Sequence, residues 1–183
     1  MNEIPASELS PALCPPLCPA LTDLTADHQQ GTLQSPHHEF KPGVFLNSDP
    51  KLGLSGSYYS IPGRLLELKI ETKSAGDWLG LHMVLPKLEL QDLTYIGLAC
   101  RLNSPAPLML RACLRSGLPE GGFTDCFFDK HILSSETAHS HLDALYLDAQ
   151  PNIPLTAEWR ELILFLPCQS CDLNLVHLHP FAL

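Results

Sequence analysis

Positive charge is scarce in this sequence: 183 residues carry 11 Lys and Arg against 20 Asp and Glu, a net charge of −9. No basic cluster forms, and the nearest approach to one is Arg111 with Arg115. Proteins that bind nucleic acid displace counterions with grouped Lys and Arg, and anionic membranes attract the same grouping. Neither is an expected partner. Charge of either sign is thin, at 17%, and aromatic residues make up only 7%. Low charge density with 45% hydrophobic residues excludes disorder over most of the length. A long apolar run is also missing: Leu162-Ile-Leu-Phe-Leu-Pro167 is far too short to span a bilayer. The opening Met1-Asn-Glu-Ile-Pro5 has neither a basic n-region nor an apolar h-region, so no secretory signal is expected. The seven cysteines are odd in number, and Cys100, Cys113 and Cys126 sit inside apolar runs, as free thiols used as small core hydrophobes do. A reducing, cytoplasmic location is the expectation.

What is present is alternation. In residues 64–71, Leu66, Leu68 and Ile70 fall on one face and Glu67, Lys69 and Glu71 on the other. Residues 77–85 place Leu79, Leu81, Met83 and Leu85 opposite Gly80, His82 and Val84. The same pattern runs through residues 94–103, 107–115, 123–129, 142–148, 159–166 and 172–183. Clusters such as Ser104-Pro-Ala-Pro107, Pro119-Glu-Gly-Gly122 and Gln150-Pro-Asn-Ile-Pro154 punctuate the runs as turns. Gly53-Leu-Ser-Gly56 is also a turn by composition. The one helix candidate in the body is residues 135–141. Short strands at this spacing without a long helix predict an all-β, two-sheet antiparallel sandwich or barrel over residues 43–183. Residues 1–42 carry Pro too often for a central strand and are expected to be a Pro-rich leader that wraps the domain, with a short helix near 21–28.

Several segments come in a telling order. A Trp78-containing strand precedes Leu88-Glu-Leu-Gln-Asp-Leu-Thr-Tyr-Ile-Gly-Leu-Ala-Cys-Arg101, then Leu108-Met-Leu-Arg-Ala-Cys-Leu-Arg115. Later come Glu158-Trp-Arg-Glu-Leu-Ile-Leu-Phe-Leu-Pro167 and the closing Leu178-His-Pro-Phe-Ala-Leu183. Over residues 57–183 this order and texture resemble the galactose-binding-like jelly rolls, which include many carbohydrate-binding modules. The resemblance implies a jelly-roll sandwich and, by analogy, recognition of a glycan or related polyol.

The residues themselves point the same way. With the middle strands as neighbours in one sheet, His82, Tyr95, Arg101, Arg111 and Arg115 project from the face opposite the core, and Asp125 on the next strand adds acceptors. Rings stack on the apolar face of a sugar, and guanidinium forks bond paired hydroxyls. Trp78, between Gly76 and Gly80, is a further ring for such a face. The plain alternative is a solvated sheet face with incidental cross-strand ion pairs. Two weak metal candidates stand beside this site. His177-Leu-His179 places two imidazoles on one strand face, and Cys168-Gln-Ser-Cys171 with Cys14-Pro-Pro-Leu-Cys18 has the makings of an irregular four-thiolate clip. No cofactor is expected.

Catalytic signatures are absent: there is no Gly-x-Ser-x-Gly, no phosphate-cradling loop and no HExxH. Asp125, Asp129, Glu136 and Asp143 leave a carboxylate pair open, but a linear sequence does not give their separation. The sequence thus predicts a non-catalytic carbohydrate-binding module acting through a polar sheet face. A protein-interaction sandwich is the alternative, and a small metal-dependent hydrolase the third reading.

Overall fold

The structure, a computed structural model, describes residues 16–183. Its elements are α1 (Pro19–Ala26), β1 (Gln29–Thr32), β2 (His37–Lys41), β3 (Val44–Ser48), β4 (Ser55–Ser60), β5 (Leu66–Glu71) and β6 (Leu79–Leu85). They continue with β7 (Tyr95–Asn103), β8 (Leu108–Gly117), β9 (Phe123–Ser134), β10 (His139–Tyr146), β11 (Arg160–Phe165) and β12 (Cys171–Ala182). The strands form two six-stranded antiparallel sheets that pack face to face as a sandwich. One runs β1-β4-β5-β12-β7-β10 and is called here the β12 sheet; the other, the β11 sheet, runs β2-β3-β6-β11-β8-β9.

The predicted alternation is what holds the layers together. Leu66, Leu68 and Ile70 of β5, Ile96, Leu98 and Leu102 of β7, and Leu173 and Leu175 of β12 face inward from one sheet. Leu79, Leu81 and Met83 of β6, Leu110 and Leu114 of β8, and Leu162 and Leu164 of β11 meet them from the other. Each fully buried side chain of this size contributes about 1.5–3 kcal/mol through removal from water. Arg160 is a charged side chain at an inward position of β11, 1% exposed. It donates to the Leu88, Pro154 and Leu155 carbonyls and to Ser116 Oγ, so loops on both sides of β11 are tied to one guanidinium.

Four expectations change on contact with the structure. Consecutive strands do not neighbour one another in one sheet: β6 and β8 lie in the β11 sheet on either side of β11, whereas β7 lies in the β12 sheet. Hydrophobic period reports which face is buried, and both sheets of a sandwich bury a face alike. Residues 135–141 are a turn entering β10 rather than a helix. Gly53 does end a short 3-10 turn in the left-handed region (φ 55°), but Ser55 and Gly56 open β4. There, at φ 137°, a Cβ on Gly56 would stand 1.9 Å from the Lys69 carbonyl oxygen, so only glycine lets the strands close. Residue 42 marks no break in the sandwich either. α1 buries Leu21 and Leu24, β1 pairs with β4, and β2 pairs with β3 across that position. Cys14 lies outside the described residues.

Candidate functional site

The outward face of the β11 sheet carries the groove. Its ladder registers give the rows across the strands. Asn47, Gly80, Phe165, Arg111 and His131 share one row; Phe45, His82, Ile163, Cys113 and Phe127 share the next. Val84, Glu161, Arg115 and Asp125 make a third. Directly opposed residues of an antiparallel pair present side chains to the same face, so these three rows form one continuous surface. Over it lies a cavity of about 680 Å³, within the range of small-molecule and sugar sites. Trp78, Phe123, Phe127 and Phe165 supply its rings, and Asn47, His82, Arg115 and Asp125 its polar groups.

Each of these groups is held by a second contact. Arg115 donates from Nε and Nη2 to the two oxygens of Asp125 at 2.7 and 2.8 Å, a bidentate pair, with its guanidinium carbon 3.8 Å from the centre of the Phe123 ring. The Asp125 hydrogen bonds raise the Arg115 pKa further, fixing the charge. His82 stacks on Phe45 at 4.9 Å and 13° and donates from Nδ1 to Glu161 Oε2 at 2.8 Å. With Nδ1 donating, Nε2 of the neutral ring is an acceptor, and it is buried without a partner among the described residues. A Cβ on Gly80 would come within 3.2 Å of that nitrogen and 2.9 Å of Ile163 Cγ2, so glycine makes the room for the imidazole. His37 Nδ1 donates to Asn47 Oδ1 at 2.7 Å, which orients the amide. Arg111 lies with its guanidinium carbon 4.2 Å from the Phe127 ring centre, and Phe127 in turn meets Phe165 at 5.6 Å.

Trp78 is placed by the turn before β4 rather than by its own strand. Asp49 Oδ1 accepts from the Lys51 amide and Oδ2 from the Asp77 amide, both at 3.0 Å, while the Asp49 amide donates to the Trp78 carbonyl at 2.9 Å. Those two backbone donors hold the Asp49 carboxyl below its usual range.

Of the residues singled out from sequence, the structure brings together Trp78, His82, Arg115 and Asp125 around the cavity, and Arg111 stands next to two of its lining rings, Phe165 and Phe127. Tyr95 and Arg101 do not join them. Both belong to β7 and face outward from the opposite sheet, Tyr95 against the Tyr146 ring at 5.4 Å and Arg101 between Ser140 and His177. The single-face grouping is therefore corrected to a groove on one sheet and two unrelated residues on the other. His177 and His179 share the outward face of β12, exposed, with Arg101 beside the first. Cys168 sits at the cavity rim and Cys171 begins β12; both are free thiols, and burial raises both, Cys171 to about 11. Cys18 is buried at the start of α1. Among the described residues no three His, Cys, Asp or Glu side chains converge as a metal site would require. Cys113, on the groove floor, is fully buried and its thiol is pushed up to about 12.

Sequence reasoning passed over Phe45, Asn47, Phe123, Phe127, Glu161 and Phe165 as site residues. The signal for Phe165 and Glu161 was present: both fall on the face of β11 opposite its core leucines. For Phe127 it was harder to read, because the adjacent Phe128 faces the core and a register shift follows directly in β9.

No protein-family model matches the sequence, and no curated protein matches it. Solved structures share its fold. The CBM22-1 xylan-binding domain from Paenibacillus barcinonensis Xyn10C superposes with a TM-score of 0.53 at 9% identity, over 86% of this chain and 95% of that domain. A CBM4 structure does so with a TM-score of 0.56 at 9% identity, over 88% of this chain and 99% of the other. The chain thus has the β-sandwich fold of the carbohydrate-binding modules.

Proposed function

We propose that this protein is a non-catalytic binding module that holds a carbohydrate chain in the groove over the β11 sheet. The observation that carries this reading is the pairing of rings with pinned polar groups around one cavity of about 680 Å³. Phe123, Phe127 and Phe165 offer apolar faces to sugar rings, while Arg115, Asp125 and His82 offer hydrogen bonds whose geometry is set before a ligand arrives. Pre-set donors and acceptors lose little freedom on binding, which turns a modest contact area into affinity. From Phe165 back along β11 to Trp159, just before it, the extended chain covers seven residues and about 20 Å, room for a chain of several sugars rather than one. Likeness of fold to a xylan-binding domain supports the ligand class without naming the sugar.

A catalytic reading is less well supported by the same geometry. The three carboxylates along the groove, Asp77, Asp125 and Glu161, each accept a hydrogen bond from a basic side chain, Lys51, Arg115 and His82 respectively, which opposes their use to attack or protonate a glycosidic oxygen.

The test is a glycan-array screen followed by calorimetric titration of the best ligand. Arg115→Ala should weaken binding about thirtyfold, and Arg101→Ala, on the far sheet, should leave it at the parent value. Binding to no glycan, or equal loss from both substitutions, would remove the reading. One observation keeps a protein-interaction reading in view: Tyr95, Leu142 and Tyr146 are exposed together on the outer face of the β12 sheet. It predicts self-association in sedimentation that Leu142→Glu disrupts.

A further inference from the structure

We propose that the groove selects an acidic glycan, with the carboxylate of a uronic-acid residue pairing with the Arg111 guanidinium beside Phe127. This rests on the glycan-binding reading above and adds the chemical class of the glycan.

Asp125 is neutralised by Arg115 at 2.7 and 2.8 Å, Asp77 pairs with Lys51 at 3.4 Å, and Glu161, two rows from Arg111, accepts a hydrogen bond from His82 at 2.8 Å. Arg111 has no such partner: among the described residues its one recorded side-chain contact is with the Phe127 ring, 4.2 Å from guanidinium carbon to ring centre. The nearest row neighbours are Phe165 on one side and His131 on the other, so no carboxylate is set against it from β11 or from the paired residue of β9. Asp129, in the β9 segment where the register shifts, makes no ion pair with it.

A guanidinium resting on a ring is restrained by the ring, while its N–H groups remain available in the plane. That is the arrangement a planar carboxylate meets with two parallel hydrogen bonds. A neutral sugar would use the donors but leave the charge uncompensated; a uronate uses both. His131, exposed directly across the ladder, is within the same row to supply a further donor. The chain's overall charge of −9 does not oppose this pairing much, because charges beyond about 8 Å are screened at physiological salt, whereas a contact ion pair is not.

The test titrates the full chain with polygalacturonate, polyglucuronate and alginate, each alongside its carboxyl-reduced neutral counterpart. At least one uronate polymer is expected to bind about tenfold more tightly than its counterpart, a difference of about 1.4 kcal/mol. Arg111→Gln should bring the two affinities together, and Arg111→Lys should restore only part of the gap, because an ammonium lacks the fork. Arg111 is exposed, so both variants should keep the parent's thermal midpoint. Equal affinity for charged and neutral polymers in the parent overturns the inference. So does a preference that survives Arg111→Gln, or dextran sulfate binding above every uronate. If neutral glycans bind in an Arg115-dependent way without a uronate preference, the groove stands and the acidic ligand falls. If no polymer binds, both fall.

Discussion

The two outer faces of the sandwich are built by the same alternation and end up different. On the β12 sheet the outward row at Gly97 is small: a Cβ there would stand 2.4 Å from Phe181 Cζ and 2.5 Å from the Asp143 carbonyl. Arg101, His177 and His179 stand on that face exposed and without a recorded ion pair. On the β11 sheet, Arg115 is clamped by Asp125 and lies over Phe123, and its side chain is only 18% exposed. A polar outward residue is common on any wet sheet. What separates a site from a surface is the second contact that holds each side chain in one place.

The contrast can be broken by substitutions that separate stability from binding. The largest effect is expected at Gly97→Val, which forces a branched side chain against Phe181 and the Asp143 carbonyl and should cost about 3 kcal/mol of stability. Denaturant unfolding reads this, and the glycan affinity of the remaining folded protein should not change. Next is Arg115→Ala. Loss of a charged, bidentate hydrogen-bonding group should weaken glycan binding by about 2 kcal/mol, while its partly exposed ion pair accounts for less than about 1 kcal/mol of stability. Calorimetry and thermal unfolding on one preparation would show the opposite pattern to Gly97→Val; a matching pattern would mean the two faces are not distinct in role. Phe127→Ala follows, with a loss of about 1 kcal/mol in affinity from the missing ring and from the freed Arg111.

The smallest effect is on pH dependence, and it touches both sheets. His38 of β2 and His141 of β10 each bury Nε2 without a partner, and burial lowers the pKa of both rings below the usual 6.5. For His38 the neighbouring His37 adds to the lowering; for His141, Lys130 and His139 add to it and Asp143 opposes it. An unfolded chain takes up these protons near pH 6.5 while the folded one resists. Stability is therefore complete above that pH and declines as pH falls through the lower folded values. Denaturant midpoints at neutral and mildly acidic pH should differ, and His38→Phe together with His141→Phe should flatten the difference. Equal midpoints in the parent would show that neither ring is constrained in this way.

Much of the architecture was readable from residues whose burial is enforced on every second position. β5, β6, β7, β8, β11 and β12 lie where alternation places them, because each buries a run of Leu, Ile or Met against the opposite layer. Three of the first four strands were hard to see. β1 is Gln-Gln-Gly-Thr, β2 carries two histidines, and β4 opens Ser-Gly-Ser; β1 and β2 are edge strands and β4 lies next to one, all three bury few side chains, and their composition resembles a turn. Pairing was not legible at all. Tyr95 and Arg101 have the same outward phase as His82 and Arg115, and only the assignment of β7 to the other sheet separates them. Trp78 and Arg115 could be singled out as residue types, whereas the Asp49 turn and the Asp125 clamp that orient them depend on contacts between distant segments.

The strand order also fixes a timetable. β11 is hydrogen-bonded between β6 and β8, and β12 between β5 and β7, so the two strands synthesised last among the twelve lie in the interior of both sheets. Until they arrive, each sheet consists of separate fragments with unpaired inner edges, and such non-local closure is slow. Glu161, Ile163 and Phe165 of the groove floor arrive with β11. A chain lacking its last strands would leave those edges open to pairing with other chains. The groove floor is thus completed only when β11 threads between β6 and β8.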